Sequence, residues 1–377
     1  MKKKFNIQYL LYYGAVGSIF PLLSRYLSEV LEFNGKQIGT ILALPPLIGL
    51  FTLPLFGAVY DNVKKPKKLI FALIMIATGI VFFIPQAQSF VFSALLITTF
   101  QFFNRPVGSM LDSYTIQATK EENLDYGSVR TFGSWGYVLA SFFLGFLVEF
   151  TSLKVIFYSV GIFLILSMLN LKGFKNYQRK VDKHSFLKDL KDLSKNKEFI
   201  ILIISYSLIF GISNVSNGYD SVRLAELGYG SIYIGVLIFS QVFFELLLMK
   251  HSEKIINKFG YIKPFLVGGL AISLKWAVYY FTTNLWVFIL FASLHGFMIA
   301  LFLPTAIKYI NKIVPENVLA TALMLLSSAL LMTLSIFLYL TGFIYDGLGM
   351  EFAYMLYFIL SILGILLVGL LKKITTV

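Results

Sequence analysis

At 377 residues, with 58% hydrophobic, 17% aromatic and only 14% charged residues and a mean hydropathy of +0.79, the chain is too apolar for a soluble domain of this size. A net charge of +13 would point a soluble protein toward nucleic acid, but here the lysines gather at the ends of apolar runs, where membrane topology accounts for them. Cysteine is absent, which excludes disulfides and thiol chemistry. The three histidines (His184, His251, His295) share no ligand-like spacing, and no phosphate loop, dinucleotide fingerprint or nucleophile elbow is present.

In chain order, apolar runs long enough to cross a hydrocarbon core of about 30 Å recur from end to end. The first follows Lys2, Lys3 and Lys4, but it is long, has no small-residue cleavage site and leads into further spans, so it reads as a retained helix. Twelve spans are predicted, over 7–30, 35–59, 68–86, 89–118, 127–149, 153–171, 199–225, 231–250, 262–283, 285–311, 317–343 and 350–371. The stretch 172–198 is rich in Lys and Arg and interrupts this pattern as a hydrated linker, with an amphipathic surface helix as one option. It separates an N-terminal six-helix bundle (1–171) from a C-terminal one (199–377). Basic segments alternate with loops poor in Lys and Arg, which predicts that both termini and the linker are cytoplasmic. The Lys-rich, Cys-free composition suggests the cytoplasmic membrane of a bacterium.

The halves repeat each other at a nearly fixed separation. Ile38-Gly39 recurs as Ile234-Gly235 and the loop at Asp61 as that at Asn257, both 196 residues on. Gly145 to Glu149 recurs as Gly342 to Asp346, 197 residues on. Six spans return the chain to its starting side, so the halves share one orientation and are related by an axis along the membrane normal.

Charges inside the apolar runs carry the functional signal. Asp112, Arg130, Glu245 and Lys275 each stand where a charge costs about 2.5–3.5 kcal/mol on insertion scales, so they mark a polar cavity between helices rather than idle positions. Asn214, Asn217, Asp220 and Arg223 fall along the outer part of span 7, as an external mouth or as an interfacial charge cluster in water. Arg105 shares a helix face with Asp112, either in the site or anchoring it. Pro45, Pro46, Pro54 and Pro304 are positions where helices would bend.

With these residues in place, the chain resembles the major facilitator superfamily over essentially its whole length. Gly57-Ala58-Val59-Tyr60-Asp61-Asn62-Val63-Lys64-Lys65 is similar to the superfamily's loop signature, departing at Asn62 and Lys64. The resemblance implies a conformational latch at Gly57, Asp61 and Lys65; the alternative is a solvated turn. Tyr126 to Tyr137 resembles the fifth span of the lactose permease and phenylpropionate permease branch, which includes proton-coupled sugar and nucleoside symporters. That likeness assigns sugar binding to Arg130, a small residue to Ser134 and an aromatic platform to Tyr137, with Asp112 as the acidic partner; the pair it implies would offer fork-shaped contacts to vicinal hydroxyls, the plainer alternative being an ion pair that orders two helices. The branch has Trp at the platform, so Tyr137 changes the stacking surface. Glu245, Lys275 and His295 resemble the second-half set of the branch, carried by Leu294-His295-Gly296. The branch's acidic proton carrier corresponds to Met298, and its basic residue before the His to Ala292, so coupling falls to Glu245, Asp112 or Asp220, with Lys275 approaching and withdrawing to load and unload the proton.

The resemblance therefore implies an all-α membrane protein of the major facilitator fold, twelve helices in two six-helix bundles related by pseudo-two-fold symmetry. It would be a secondary transporter, a proton-coupled importer of a sugar or nucleoside bound by Asp112, Arg130, Ser134, Tyr137, Glu245 and His295. Uncoupled facilitation, export of hydrophobic drugs and import of an aromatic carboxylate remain the alternatives. It is expected to work as a monomer with its solute, protons and the bilayer as partners, with no cofactor beyond the proton gradient, no metal, no nucleic acid and no enzymatic activity.

Overall fold

A computed structural model describes residues 2–122, 125–175, 193–315 and 318–375, and every regular element in them is helical. In order these are α1 (Lys2–Ile19), α2 (Leu23–Glu29), α3 (Gly35–Asn62), α4 (Pro66–Val81), α5 (Phe90–Glu122), α6 (Tyr126–Phe150), α7 (Val155–Lys172), α8 (Lys197–Tyr206), α9 (Ile212–Ser216), α10 (Asp220–Glu226), α11 (Ile232–Phe259), α12 (Ile262–Phe281), α13 (Leu285–Ile313), α14 (Leu319–Leu348) and α15 (Met350–Thr375). Helices are the expected solution for so apolar a chain, because hydrocarbon offers backbone groups no partner and only a helix satisfies them within one segment. Among the described residues, eleven helical stretches are long and apolar enough to span a membrane. The predicted span missing from these is the fourth, 89–118, which forms α5. It has ample length at 33 residues, but Gln101, Asn104, Arg105 and Asp112 dilute its apolar character. Most of the basic linker, including its candidate surface helix and His184, lies outside the described residues.

Two predicted spans are broken rather than continuous. Span 1 divides at Phe20–Leu22, where Pro21 has no N–H to give to the helix. Span 7 runs as α8, a π-helical turn over Ser207–Gly211, α9, a break at Asn217–Tyr219, and α10. The breaks are repeat equivalents, at residues 20 and 217, a separation of 197. By contrast, Pro45, Pro46 and Pro54 lie within an uninterrupted α3, and Pro304 within α13.

The chain clusters into two compact units, residues 1–182 with 218–235, and residues 183–217 with 236–377. In the first, α1 runs against α6 and α7. The approach to α6 is backbone to backbone, since a Cβ on Gly17 would lie 2.3 Å from the Tyr137 carbonyl oxygen and one on Gly136 would lie 2.2 Å from that of Leu10. Toward α7 the contact is polar. The Gln8 amide donates to Ser167 Oγ at 2.7 Å and accepts from Asn170 Nδ2 at 2.9 Å. Phe56 of α3 packs edge-on to Phe102 of α5, ring centroids 5.5 Å apart.

This unit also holds α10 and the start of α11. Ser24 and Ser221, again 197 apart, share a hydrogen bond of 2.9 Å, so repeat-equivalent residues meet each other as a self-matching contact. Arg25 Nη1 donates to the Tyr229 carbonyl at 3.1 Å. The Glu149 carboxylate accepts from the backbone N–H groups of Ser231 and Ile232, capping the otherwise open N-terminus of α11.

In the second unit α12 is the hub, packed on α13 and α15. Ser273 and Ser361 share a 2.7 Å hydrogen bond, Tyr279 donates to the Phe288 carbonyl at 2.8 Å, and buried Trp276 stacks on Tyr354. Thr341 of α14 and Tyr357 of α15 are joined at 2.6 Å.

Candidate functional site

Each unit contains one polar cluster built on a charge that the sequence marks. In the first, Asp112 on α5 and Arg130 on α6 come together with Arg130 Nε 3.7 Å from Asp112 Oδ1, both side chains half-buried. Helix α6 begins at Tyr126 because Asp125 caps it, accepting from Ser128 N at 2.7 Å, which sets Arg130 in the second turn. From there Ser134 and Tyr137 follow at i+4 and i+7, on the same face, and both are half-buried.

Two residues complete this cluster that the sequence reading does not include. Tyr9 on α1 donates its hydroxyl to Asp112 Oδ1 at 2.6 Å. Tyr13, one turn later, lies under the Arg130 guanidinium at 4.2 Å from ring centroid to Cζ, with Tyr9 stacked beside it. The available signal is the Tyr9, Tyr12, Tyr13 spacing at i, i+3 and i+4, which puts three phenols on one face of the first span. A cation over an aromatic face is attracted by the ring quadrupole, so Tyr13 fixes the plane of Arg130 while Tyr9 fixes the carboxylate. Gly133 makes the room: a Cβ there would lie 2.7 Å from Arg130 Nη1 and 2.8 Å from the Tyr13 ring. Arg105 lies beside Tyr12, whose hydroxyl donates to the Asn104 carbonyl at 2.9 Å and whose ring packs edge-on against Tyr13, centroids 5.2 Å apart.

In the second unit Lys275 is fully buried on α12. Its Nζ lies 3.5 Å from Ser216 Oγ and over the rings of Trp276 and Tyr279 at 4.4 and 4.9 Å. His295 on α13 is 2% exposed, and its Nε2 is 3.5 Å from Asn217 Nδ2. The break after α9 thus delivers Ser216 to Lys275 and Asn217 to His295. Glu245 is half-buried on α11. Its backbone N–H and the Gln241 carbonyl form the surface on which α13 crosses, at Gly296, where a Cβ would come within 1.8 Å of that carbonyl. Gln241 is a second addition to the sequence reading. Its Nε2 is buried and has no hydrogen-bond partner among the described residues, as is true of His295 Nδ1.

The outer part of span 7 differs from its predicted placement. Asn217 lies in the His295 cluster. Asp220 and Arg223 are only 5% and 6% exposed, so they are not a charge cluster in water. They belong to α10, which packs on α2. At the end of α3, Asp61 and Lys65 are exposed, and neither side chain makes a hydrogen bond or ion pair among the described residues. Gly57 faces open space. No group of three or more His, Cys, Asp or Glu residues suited to a metal occurs among the described residues.

Both clusters present charged side chains and aromatic faces inside apolar helices. The family model described as MFS_1 like family matches residues 3–356. An uncharacterized transporter of Bacillus subtilis, YwbF, is 32% identical over 359 residues, covering 94% of this chain and 90% of that one. The maltose permease of Geobacillus stearothermophilus is 27% identical over 381 residues, covering 99% and 95%. Among solved structures, the nucleoside transporter NupG superposes with a TM-score of 0.84 at 16% identity over 100% of this chain and 99% of that one, a likeness of fold. The chain belongs to the MFS_1-like family and is a multi-pass membrane transporter of the major facilitator superfamily, not an enzyme.

Proposed function

We propose that this transporter moves a small hydroxylated solute, a sugar before a nucleoside, by alternating exposure of its polar clusters to the two sides of the membrane. The observation that carries the reading is the Tyr9–Asp112–Arg130–Tyr13 arrangement. A carboxylate held by one phenol and a guanidinium placed over the ring of another present an acceptor and a planar donor fork side by side, which suits adjacent hydroxyl groups. Tyr137 and Ser134 extend that face. His295 and Gln241 supply further hydrogen-bonding capacity in the second unit, where a hydroxyl would satisfy groups that are costly to leave unmade in an apolar interior. The family relationship to a maltose permease supports the sugar.

Proton coupling is the second part of the proposal. Glu245 and Asp112 are the carboxyls that exchange the proton, with Lys275 as the fixed charge that responds to it. Asp61 with Lys65, at the Gly57 end of α3, acts as a latch for one conformation. The lysine-rich ends face the cytoplasm of a bacterial cell. The protein works as a monomer and draws on the proton gradient alone.

The test is external pH in a lightly buffered suspension of de-energised cells expressing the protein, on addition of sugars, nucleosides and aromatic acids in turn. Alkalinisation with sugars that Glu245→Gln abolishes is the expected result. Exchange of labelled sugar that needs Arg130 without any pH change would leave the substrate and remove the coupling. A response to hydrophobic cations or aromatic acids only would remove the sugar.

A further inference from the structure

The second unit carries an apolar crevice of about 360 Å³ away from both polar clusters. It is lined by Leu248, Ile255 and Phe259 of α11, Lys263 and Val267 of α12, and Leu301 of α13. At its mouth the half-exposed Phe259 ring is flanked by two ammonium groups, Lys258 at 5.2 Å and Lys263 at 5.7 Å from its centroid. Neither lysine makes an ion pair among the described residues; the nearby carboxylate of Glu253 is taken by Lys308 at 2.7 Å. The mouth therefore has uncompensated positive charge over an apolar slot.

Its depth matches a bilayer leaflet. Leu248 and Phe259 are eleven residues apart, which is about 16 Å along a helix, and half a hydrocarbon core is about 15 Å. Helix α11 is 28 residues long, about 42 Å, so its last turns extend past the hydrocarbon into the headgroup layer. Lys258 lies in the last turn of α11 and Lys263 in the first turn of α12, where lipid phosphates are found.

We propose that this crevice binds an anionic phospholipid, with one acyl chain between α11, α12 and α13 and the phosphate between Lys258 and Lys263. Basic residues at the membrane surface attract anionic headgroups, and the slot adds chain-specific contact that an ordinary lipid-facing surface lacks.

The experiment uses the purified full chain in mild detergent, titrated with fluorescent phosphatidylglycerol and with phosphatidylcholine of the same acyl chains. Phosphatidylglycerol should bind more tightly. Lys258→Gln with Lys263→Gln should weaken it roughly 25-fold, two charges at about 1 kcal/mol each, while leaving phosphatidylcholine unchanged. Lys258→Arg with Lys263→Arg should keep the preference, which separates loss of charge from loss of fold. Val267→Trp should obstruct the slot and weaken the lipid although both lysines remain. Equal binding of the two lipids, a preference that survives the double Gln variant, undiminished binding to Val267→Trp, or full displacement by inorganic phosphate would each overturn the proposal.

Discussion

In the proposed function recognition turns on Arg130, and its surroundings give the reason lysine would be a poor substitute. Tyr13 lies under the guanidinium and Gly133 leaves space for that contact. An ammonium would retain the charge but lose both the planar fork and the stacking. Arg130→Lys should therefore raise the half-saturating solute concentration roughly 10- to 100-fold, the range for one or two hydrogen bonds to a charged group. Tyr13→Phe should leave it nearly unchanged, because the ring rather than the hydroxyl supports Arg130. Initial uptake rates in energised vesicles distinguish the two. Asp112 and Arg130 were legible in the sequence because a charge in an apolar run stands out. Tyr9 and Tyr13 were not, since 22 tyrosines are spread through the chain and only the packing of α1 on α6 selects these.

At the scale of elements, close helix crossings are held by glycines whose missing Cβ is the point of contact. Gly136→Leu should force α1 away from α6 and lower stability by about 1–3 kcal/mol or more, read as a lower melting temperature in detergent. Gly57→Ala, where a Cβ meets nothing, should leave the melting temperature unchanged or slightly raised. A change in transport by that variant would then support the proposed latch, since folding is unaffected. The Glu149 cap on α11 is likewise an element-scale contact. Glu149→Gln keeps the shape but removes the charge at a helix N-terminus, and should cost about 0.3–1 kcal/mol, measured by the same melt.

For the whole molecule, the separation of 196 to 197 residues reaches from sequence into contact. The two broken spans fall at that separation, and Ser24 meets Ser221 across it. The basic segments set one further expectation: a green fluorescent reporter fused after Val377 should fluoresce, as it would in the cytoplasm, whereas a periplasmic alkaline phosphatase fusion at the same point should be silent. The reverse pattern would invert the topology.

What the sequence determined by itself is the class of the molecule: apolar runs too long and too many for a soluble core, satisfied only as helices in lipid, with four charges whose cost there requires a use. Tertiary structure decided which neighbours those charges have. Pro21 was a local signal for the break in span 1, but nothing local announced the break at Asn217–Tyr219, which carries Asn217 to His295 and turns Asp220 and Arg223 into a buried pair of positions. A helix's own residues set its period and its ends. The face it turns to a partner, and so the atoms that meet there, depend on how closely two backbones can approach, and that is a property of both chains of side chains together.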